Sequence, residues 1–395
     1  MNLFKNIKGD KTIWLIVFFL SIFSVLVVYS SSIALAYRYK DGHSEVFLFK
    51  HFFISVIGLI FIYYIHKLNI KPTHLNVLGI VGTLISFFLL IWTLFTGVRA
   101  GEAARWLEIP GLGITFQSSD VAKISLIVLI ARNLSIYKNK LNTLKDIFLK
   151  ILLPTILICT PILISNFSTS FILALTVFYL MFLSEIPAKR LFQIIGIVFI
   201  IAVLFVTLIY FFPNALPRGK TWKSRIENFS QGDSKTNYQV EQAKIAIANG
   251  SFIGRGPGNS AQRAFLPQAS SDFIYAILIE EYGTFWGFIV LLFFLIIFFR
   301  CIRIAQKSKN TFYSYIVMGL SFNLIVQAII NMAVAVNLIP VTGQPLPFIS
   351  MGGTSLIFSS INIGIILNIS RQVNEQSIKK EETITEQKLE TKLTT

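Results

Sequence analysis

The chain returns repeatedly to apolar runs of about 20 residues, the length at which a helix crosses the hydrocarbon core of a bilayer. The first extends from Ile13 to about Ala36, and further runs lie near 46–66, 76–96, 115–135, 148–165, 167–184, 191–212, 272–299, 312–336 and 351–370. In lipid a backbone finds no water, so each crossing segment has to satisfy its own N–H and C=O groups, as a helix does. With 54% hydrophobic and only 14% charged residues, the chain lacks the polar surface that water would require. The pattern therefore predicts an all-α polytopic membrane protein of about ten transmembrane helices. The first run is too long for the apolar part of a cleavable leader and reads as an uncleaved helix. No short-period repeat is visible, which excludes a solenoid.

A net charge of +16 would point to nucleic acid in a water-soluble chain, but here the cations sit in loops between apolar runs and act as topological signals. One set of loops carries Lys5, Lys8, Lys11, Lys67, Lys71, Arg132, Lys138, Lys140, Lys145, Lys150, Lys189, Arg190, Arg300, Arg303, Lys307, Lys309 and Arg371. The opposite short loops carry chiefly Arg38, Lys40, Lys50, Arg99 and Arg105. The positive-inside rule then places both termini in the cytoplasm. The expected layout is a cytoplasmic segment 1–12, a membrane domain 13–370, and a cytoplasmic tail 371–395 that is disordered or a loose helix. The large external loop, 213–271 between helices 7 and 8, escapes the rule by its length and is basic through Arg218, Lys220, Lys223, Arg225, Arg255 and Arg263.

In this topology three polar segments open helices from the external side. They are Gln117-Ser118-Ser119-Asp120 with Lys123 one turn on, Ser270-Ser271-Asp272, and Ser350-Met351-Gly352-Gly353-Thr354-Ser355. Together they suggest one external site whose free amides and positive helix ends suit an anion such as pyrophosphate. Taken singly, the serines and aspartates also read as ordinary helix caps. Lys123 is costly within a spanning helix unless it is paired or faces a cavity, and Asp120 three residues earlier lies on the same face. Glu280 and Glu281 carry the same cost, with structural and functional roles both open. The Gly-rich stretch 250–263 lacks the Lys-Ser/Thr ending and strand context of a nucleotide-binding loop. Cys159 and Cys301 make no framework, and His43, His51, His66 and His74 are scattered and read as interface residues rather than metal ligands.

Arg105-Trp106-Leu107 followed by Phe116-Gln117-Ser118-Ser119-Asp120-Val121-Ala122-Lys123 resembles the signature of the SEDS (shape, elongation, division, sporulation) family. Gly254-Arg255-Gly256-Pro257-Gly258-Asn259-Ser260-Ala261-Gln262 is similar to the family's largest loop, in the form of its division branch rather than its elongation branch. Phe265-Leu266-Pro267-Gln268-Ala269-Ser270-Ser271-Asp272-Phe273, Glu280-Glu281-Tyr282-Gly283, Asn331-Met332 and the run from Asn337 to Ser355 continue the likeness in order. Departures are Ser119 for proline, Asp120 for glutamate, Gln268 for glutamate, Ser270-Ser271 for His-Thr, and Ser165-Asn166-Phe167-Ser168-Thr169 where the family has P-D-x-G-T.

The resemblance implies a peptidoglycan glycosyltransferase that polymerises lipid II into glycan strands on the outer face of the cytoplasmic (inner) membrane, at the division septum. It implies Asp272 as catalytic base, with Lys123 and Asp120 in the catalytic group. Substrate would be held by Arg105, Trp106, Gln117 and Ser118, by Arg255, Gly256, Asn259, Ser260, Gln262 and Arg263, and by Pro347, Ser350, Gly352, Gly353 and Ser355. It fixes no cofactor and leaves a place for a divalent cation, magnesium or manganese, at the pyrophosphate. Its partners would be a class B penicillin-binding protein, a transpeptidase with one membrane helix, and other division proteins, with no nucleic acid. Three alternatives stand beside this reading: a lipid II flippase, weakened by the lack of an inverted repeat, an elongation polymerase, and a catalytically idle scaffold.

Overall fold

The computed structural model describes residues 8–33, 35–36, 43–100, 103–109, 114–214, 219, 221–223 and 238–394. Lys5, Arg38, Lys40, Arg218, Lys220, Arg225 and most of 213–237 lie outside the described residues. The helices are α1 (Lys11–Ser31), α2 (Glu45–Lys67), α3 (Pro72–Thr96), α4 (Ser118–Ile136), α5 (Leu144–Ser165), α6 (Phe167–Leu183), α7 (Ala188–Phe211), α8 (Tyr238–Gly250), α9 (Ile274–Lys307), α10 (Thr311–Ala335) and α11 (Thr354–Thr394). Eight of them are long and apolar enough to cross a membrane. The other two expected spans fall short of that test: α4 carries Ser118, Ser119, Asp120 and Lys123, and α6 is a shorter apolar helix. The first is mostly buried and the second buries one face while exposing Phe171 and Phe182, and α10 packs against both.

Local chemistry explains where the helices begin and bend. Asp10 caps α1, its carboxylate accepting from the N–H groups of Thr12 at 3.0 Å and Ile13 at 3.2 Å. Asn166 separates α5 from α6 in an extended conformation, and its side chain accepts from the N–H of Thr169 at 3.3 Å. Within α5, Pro154 follows a π-helical turn, Phe148–Leu152. A proline has no N–H for the carbonyl four residues back, so Lys150 C=O is released. Asn133 Nδ2 of α4 takes it at 2.7 Å, converting a helix defect into an interhelical bond.

Two features were not anticipated. A three-stranded antiparallel sheet, β1 (Val98–Ala100), β2 (Ala103–Ile109) and β3 (Ile114–Gln117), joins α3 to α4, with Trp106 opposite Gln117. And α9 is not straight. Gly283 has φ +88°, and a Cβ on Gly287 would stand 3.1 Å from the Tyr275 hydroxyl. Twelve residues along a straight helix span about 18 Å, so the opening turns fold back on the long segment. Only glycine fits that corner, because a Cβ at Gly283 would also meet Phe252 C=O at 2.2 Å. The folded-back turns support α8, whose last residue, Gly250, lies directly against Ile279 C=O. The helix α11 continues from the membrane domain through Thr394.

The polar contacts sort to two ends of the bundle. At one end Arg300 grips Asp10 at 2.7 Å, Arg371 donates to Lys67 and Leu68 C=O, and Arg190 donates to Asn142 C=O. This is the end to which the positive-inside rule assigns the cytoplasm. The other end gathers Ser30, Ser118, Asn166, Asp272, Glu281 and the 337–355 segment.

Candidate functional site

That second end is organised by the closing segment 337–355, which runs between α10 and α11. Ser270 C=O accepts from Met351 N–H at 2.8 Å, and Ser271 C=O accepts from the Ser350 hydroxyl at 2.6 Å. Asn331 Nδ2 donates to the C=O groups of Asp272 at 2.8 Å and Gln344 at 2.7 Å. Asp272 is thus fixed by its backbone just ahead of α9, half-buried, with Oδ2 3.5 Å from the position a Cβ on Gly343 would take. The same segment reaches α4: Pro347 and Ser355 line one small polar cavity with Asp120 and Lys123.

In this cavity Lys123 Nζ meets Asp120 Oδ1 at 2.8 Å, with Asp120 almost fully buried. Pairing at i, i+3 lets each charge offset the other's desolvation. Asp120 Oδ2 has no partner among the described residues. Asn323 and Gln327 of α10 and Ser359 and Asn362 of α11 add polar lining beside the apolar Ile124, Leu320, Leu324 and Phe358, and Asn362 Oδ1 is a second buried acceptor with no donor among the described residues. The arrangement offers a cation and vacant acceptors beneath a polar mouth, suited to a charged, hydroxyl-rich headgroup.

The capping interpretation of the serines and aspartates is corrected here. The residue before α4 is Gln117 and that before α9 is Phe273, and neither makes a side-chain cap bond. Ser118 instead accepts from the Thr93 hydroxyl at 2.8 Å, and Ser119 Oγ is buried with no partner among the described residues. Tertiary neighbours displaced the local caps.

The Gly-rich loop is built on the two glutamates. Glu280, fully buried, accepts from the Ser260 hydroxyl, from Ala261 N–H at 3.3 Å and Gln262 N–H at 3.2 Å, and from Asn249 Nδ2 at 3.4 Å. The carbonyls of Glu280 and Glu281 accept from Arg255 and Gly256 N–H, each at 2.9 Å. Glu281 accepts from the Ser30 hydroxyl, which also accepts from Arg263 Nη1 at 2.8 Å. Ser260 and Gln262 are therefore buried parts of the loop's own scaffold, whereas Arg255 and Asn259 face outward. Gly352 and Gly353 form the turn into α11, where Ser355 N–H bonds Gly352 C=O at 3.0 Å.

Arg105 stands at a second cavity that the closing segment also lines, through Ile339, Pro340, Val341 and Thr342. Arg105 Nε donates to Ser165 C=O at 3.1 Å, and the cavity, apolar and of about 320 Å³, is also bordered by Phe167, Phe205 and Trp222. Trp106 and Gln117 pair across β2 and β3 beside it. The structure thus joins Asp272, Asp120, Lys123, Pro347, Ser350 and Ser355 around the closing segment. It places the arginine-rich loop and Arg105 in two flanking positions. Sequence reasoning took Asn331 only as part of the family likeness and missed Asn323 and Gln327, although three amides at four-residue spacing in an apolar run are a visible signal. His51 and His66, expected at the interface, are buried, bonded to Ser24 at 3.0 Å and to Leu367 C=O at 3.3 Å.

Residues 10–375 match the family model described as cell cycle protein, which unites FtsW, RodA and SpoVE. A probable peptidoglycan glycosyltransferase FtsW from Enterococcus hirae is 30% identical over 390 residues, covering 94% of this chain and 95% of its own. Stage V sporulation protein E of Bacillus subtilis is 29% identical over 376 residues, covering 93% of this chain and 98% of its own. Among solved structures, one described as coordinating polymerization and crosslinking in a peptidoglycan synthase complex has a TM-score of 0.73 at 19% identity, covering 92% of this chain and 98% of that one. The rod shape determining protein RodA of Thermus thermophilus has a TM-score of 0.65 at 19% identity, covering 93% of this chain and 98% of that one. The shared fold is the polytopic helical bundle.

Proposed function

The chain belongs to the FtsW, RodA and SpoVE family of cell cycle proteins, and we propose that it is a peptidoglycan glycosyltransferase that polymerises lipid II at the outer face of the cytoplasmic membrane during septal wall synthesis. The observation that carries this reading is the meeting of the Asp272 segment with the Asp120–Lys123 cavity through one closing segment. A donor with a diphosphate needs a cation, and an acceptor sugar needs a base, within one headgroup's reach.

Asp272 takes the proton from the acceptor hydroxyl as its oxygen attacks the anomeric carbon of the donor. The bond from that carbon to the diphosphate breaks, and its electron pair leaves with the polyprenyl diphosphate. Lys123, held in place by Asp120, stabilises the charge that develops on the leaving group. Arg255, outward on its loop, draws the anion in. Among the described residues no cluster of three acids or imidazoles stands ready to cage a metal. Lys123 engages Asp120 through Oδ1 only, at 2.8 Å. A divalent ion would be held by the open Asp120 Oδ2 and by phosphate oxygens, a donor set that magnesium accepts, and it would add charge at the leaving group, leaving Asp272 for the proton. The partner we propose is a class B penicillin-binding protein, supported by the likeness to a synthase complex.

The test is strand synthesis from lipid II by the purified full-length chain with its transpeptidase. In detergent there are no two leaflets, so polymer formation separates this reading from transport. Asp272→Asn is expected to abolish synthesis and to elute as a folded protein. Strands made by that variant would remove Asp272 from the reaction.

A further inference from the structure

We propose that Asn331 is a positioning residue for the transfer: its amide locks the backbone of Asp272 to the closing segment and so sets where the base carboxylate stands. The proposal rests on the reading of Asp272 as the base. Asn331 lies on α10 in line with Asn323 and Gln327, one helical turn apart on a single face. Asn323 Nδ2 bonds Thr176 Oγ1 at 3.2 Å, a helix-to-helix link, and Gln327 Nε2 bonds Pro345 C=O at 2.9 Å. Asn331 does more than either, because its one nitrogen spans two segments, Asp272 C=O and Gln344 C=O.

Both acceptors are main-chain carbonyls, which never donate, so the amide nitrogen has to face them. Holding both takes two diverging protons on a short planar nitrogen. Serine has one donor, leucine none, aspartate the wrong polarity, and glutamine a reach one methylene longer. Gln344 is fixed on its other side as well, its Nε2 donating to Thr169 Oγ1 of α6 at 2.8 Å. The preceding residue, Gly343 at φ +67°, floors the Asp272 carboxylate. The Ser350 and Met351 bonds tie the neighbouring Ser271 and Ser270 carbonyls to the closing segment, and Asn331 is the side chain that ties Asp272 itself to the residue after its floor. Asn331 is 1% exposed, and its Oδ1 is buried with no partner among the described residues. An apolar residue would avoid that orphan, so the two donor bonds are what the asparagine adds.

The experiment compares Asn331→Leu, Thr176→Val and Asp272→Asn in the full chain with its transpeptidase, reading kcat, KM for lipid II and the pH–rate profile. Displacing a reacting group by about 1 Å costs on the order of 10²-fold. Asn331→Leu is expected to lose that much in kcat with KM unchanged and with the acidic limb of the profile displaced, a change that a smaller folded fraction cannot produce. Thr176→Val, which removes a ladder bond that does not reach Asp272, keeps wild-type kcat and profile. If Asn331→Leu does not fold, Asn331→Ser, smaller and still a donor, replaces it, with an intermediate loss and the same displacement expected. A wild-type kcat and profile at position 331, or an equal loss in Thr176→Val, overturns the positioning role while Asp272→Asn stays inactive. Activity in Asp272→Asn overturns the functional reading itself, and this inference with it.

Discussion

Glu280 and Asp120 are both buried carboxylates near the same end of the bundle, and the chain treats them in opposite ways. Glu280 receives four neutral donors from two segments, and both of its oxygens are engaged. Asp120 receives one ammonium and leaves Oδ2 open, beside the equally open Asn362 Oδ1. A buried charge closed on all sides is a fold-forming device, because its donors order a loop that has no core of its own. An acceptor left open lowers stability, and a site retains it where an incoming ligand completes the set. Glu281 stands between them, tied to Ser30 and near Arg263, with Oε2 unpartnered among the described residues.

The contrast breaks most visibly at Glu280. Glu280→Ala strands the Ser260 hydroxyl and two backbone N–H groups, at a cost of about 3–5 kcal/mol. A large fall in the unfolding temperature in detergent is expected, with new protease cleavage within 251–273 and loss of synthesis as a consequence. An unchanged unfolding temperature with lost synthesis would make Glu280 a chemical residue and erase the distinction. The Asp120–Lys123 pair is expected to behave the other way. A buried ion pair replaced as a unit is often neutral for stability, so the double variant Asp120→Asn, Lys123→Met should unfold near the wild-type temperature. Its synthesis rate should drop on the order of 10²–10³-fold, the usual effect of removing one electrostatic stabiliser. Unfolding as severe as that of Glu280→Ala would assign the pair to architecture.

The same contrast explains what could be read from the sequence. Apolar run length located the helices, and Asn166 marked the α5–α6 break because its side chain caps α6 locally. Such features depend on neighbours within a few residues. Whether Ser118 caps its own helix or meets Thr93, a residue of α3, depends on which helix packs there, and no local pattern carries that. The fold-back at Gly283 was hidden for the same reason: a glycine inside an apolar run gives no hint that Phe252 will press against it. The sheet was no more legible, since Ala103, Arg105, Leu107 and Ile109 do not separate by polarity from Ala104, Trp106 and Glu108, and its strands are short beside spanning helices. Convergence of the three polar helix ends followed from topology alone. Their partners did not.

The smallest expected effect separates the two arginines of the Gly-rich loop. Arg263 donates to Ser30, which is itself bonded to Glu281, so its guanidinium helps close the scaffold. Arg255 anchors through its backbone, N–H to Glu280 C=O at 2.9 Å, while its guanidinium, 44% exposed, stands 3.9 Å from Glu280 Oε1. Arg255→Gln keeps the backbone bond and should shift stability by only about 0–1 kcal/mol, as for other exposed pairs. If the guanidinium instead recruits the diphosphate, KM for lipid II rises by roughly three- to tenfold at low salt with kcat unchanged, and the difference shrinks as ionic strength shortens the reach of the charge. Arg263→Gln, by contrast, should lower the unfolding temperature along with activity. Equal behaviour of the two variants would mean that the loop presents no face for the anion and that Glu280 organises it for another purpose.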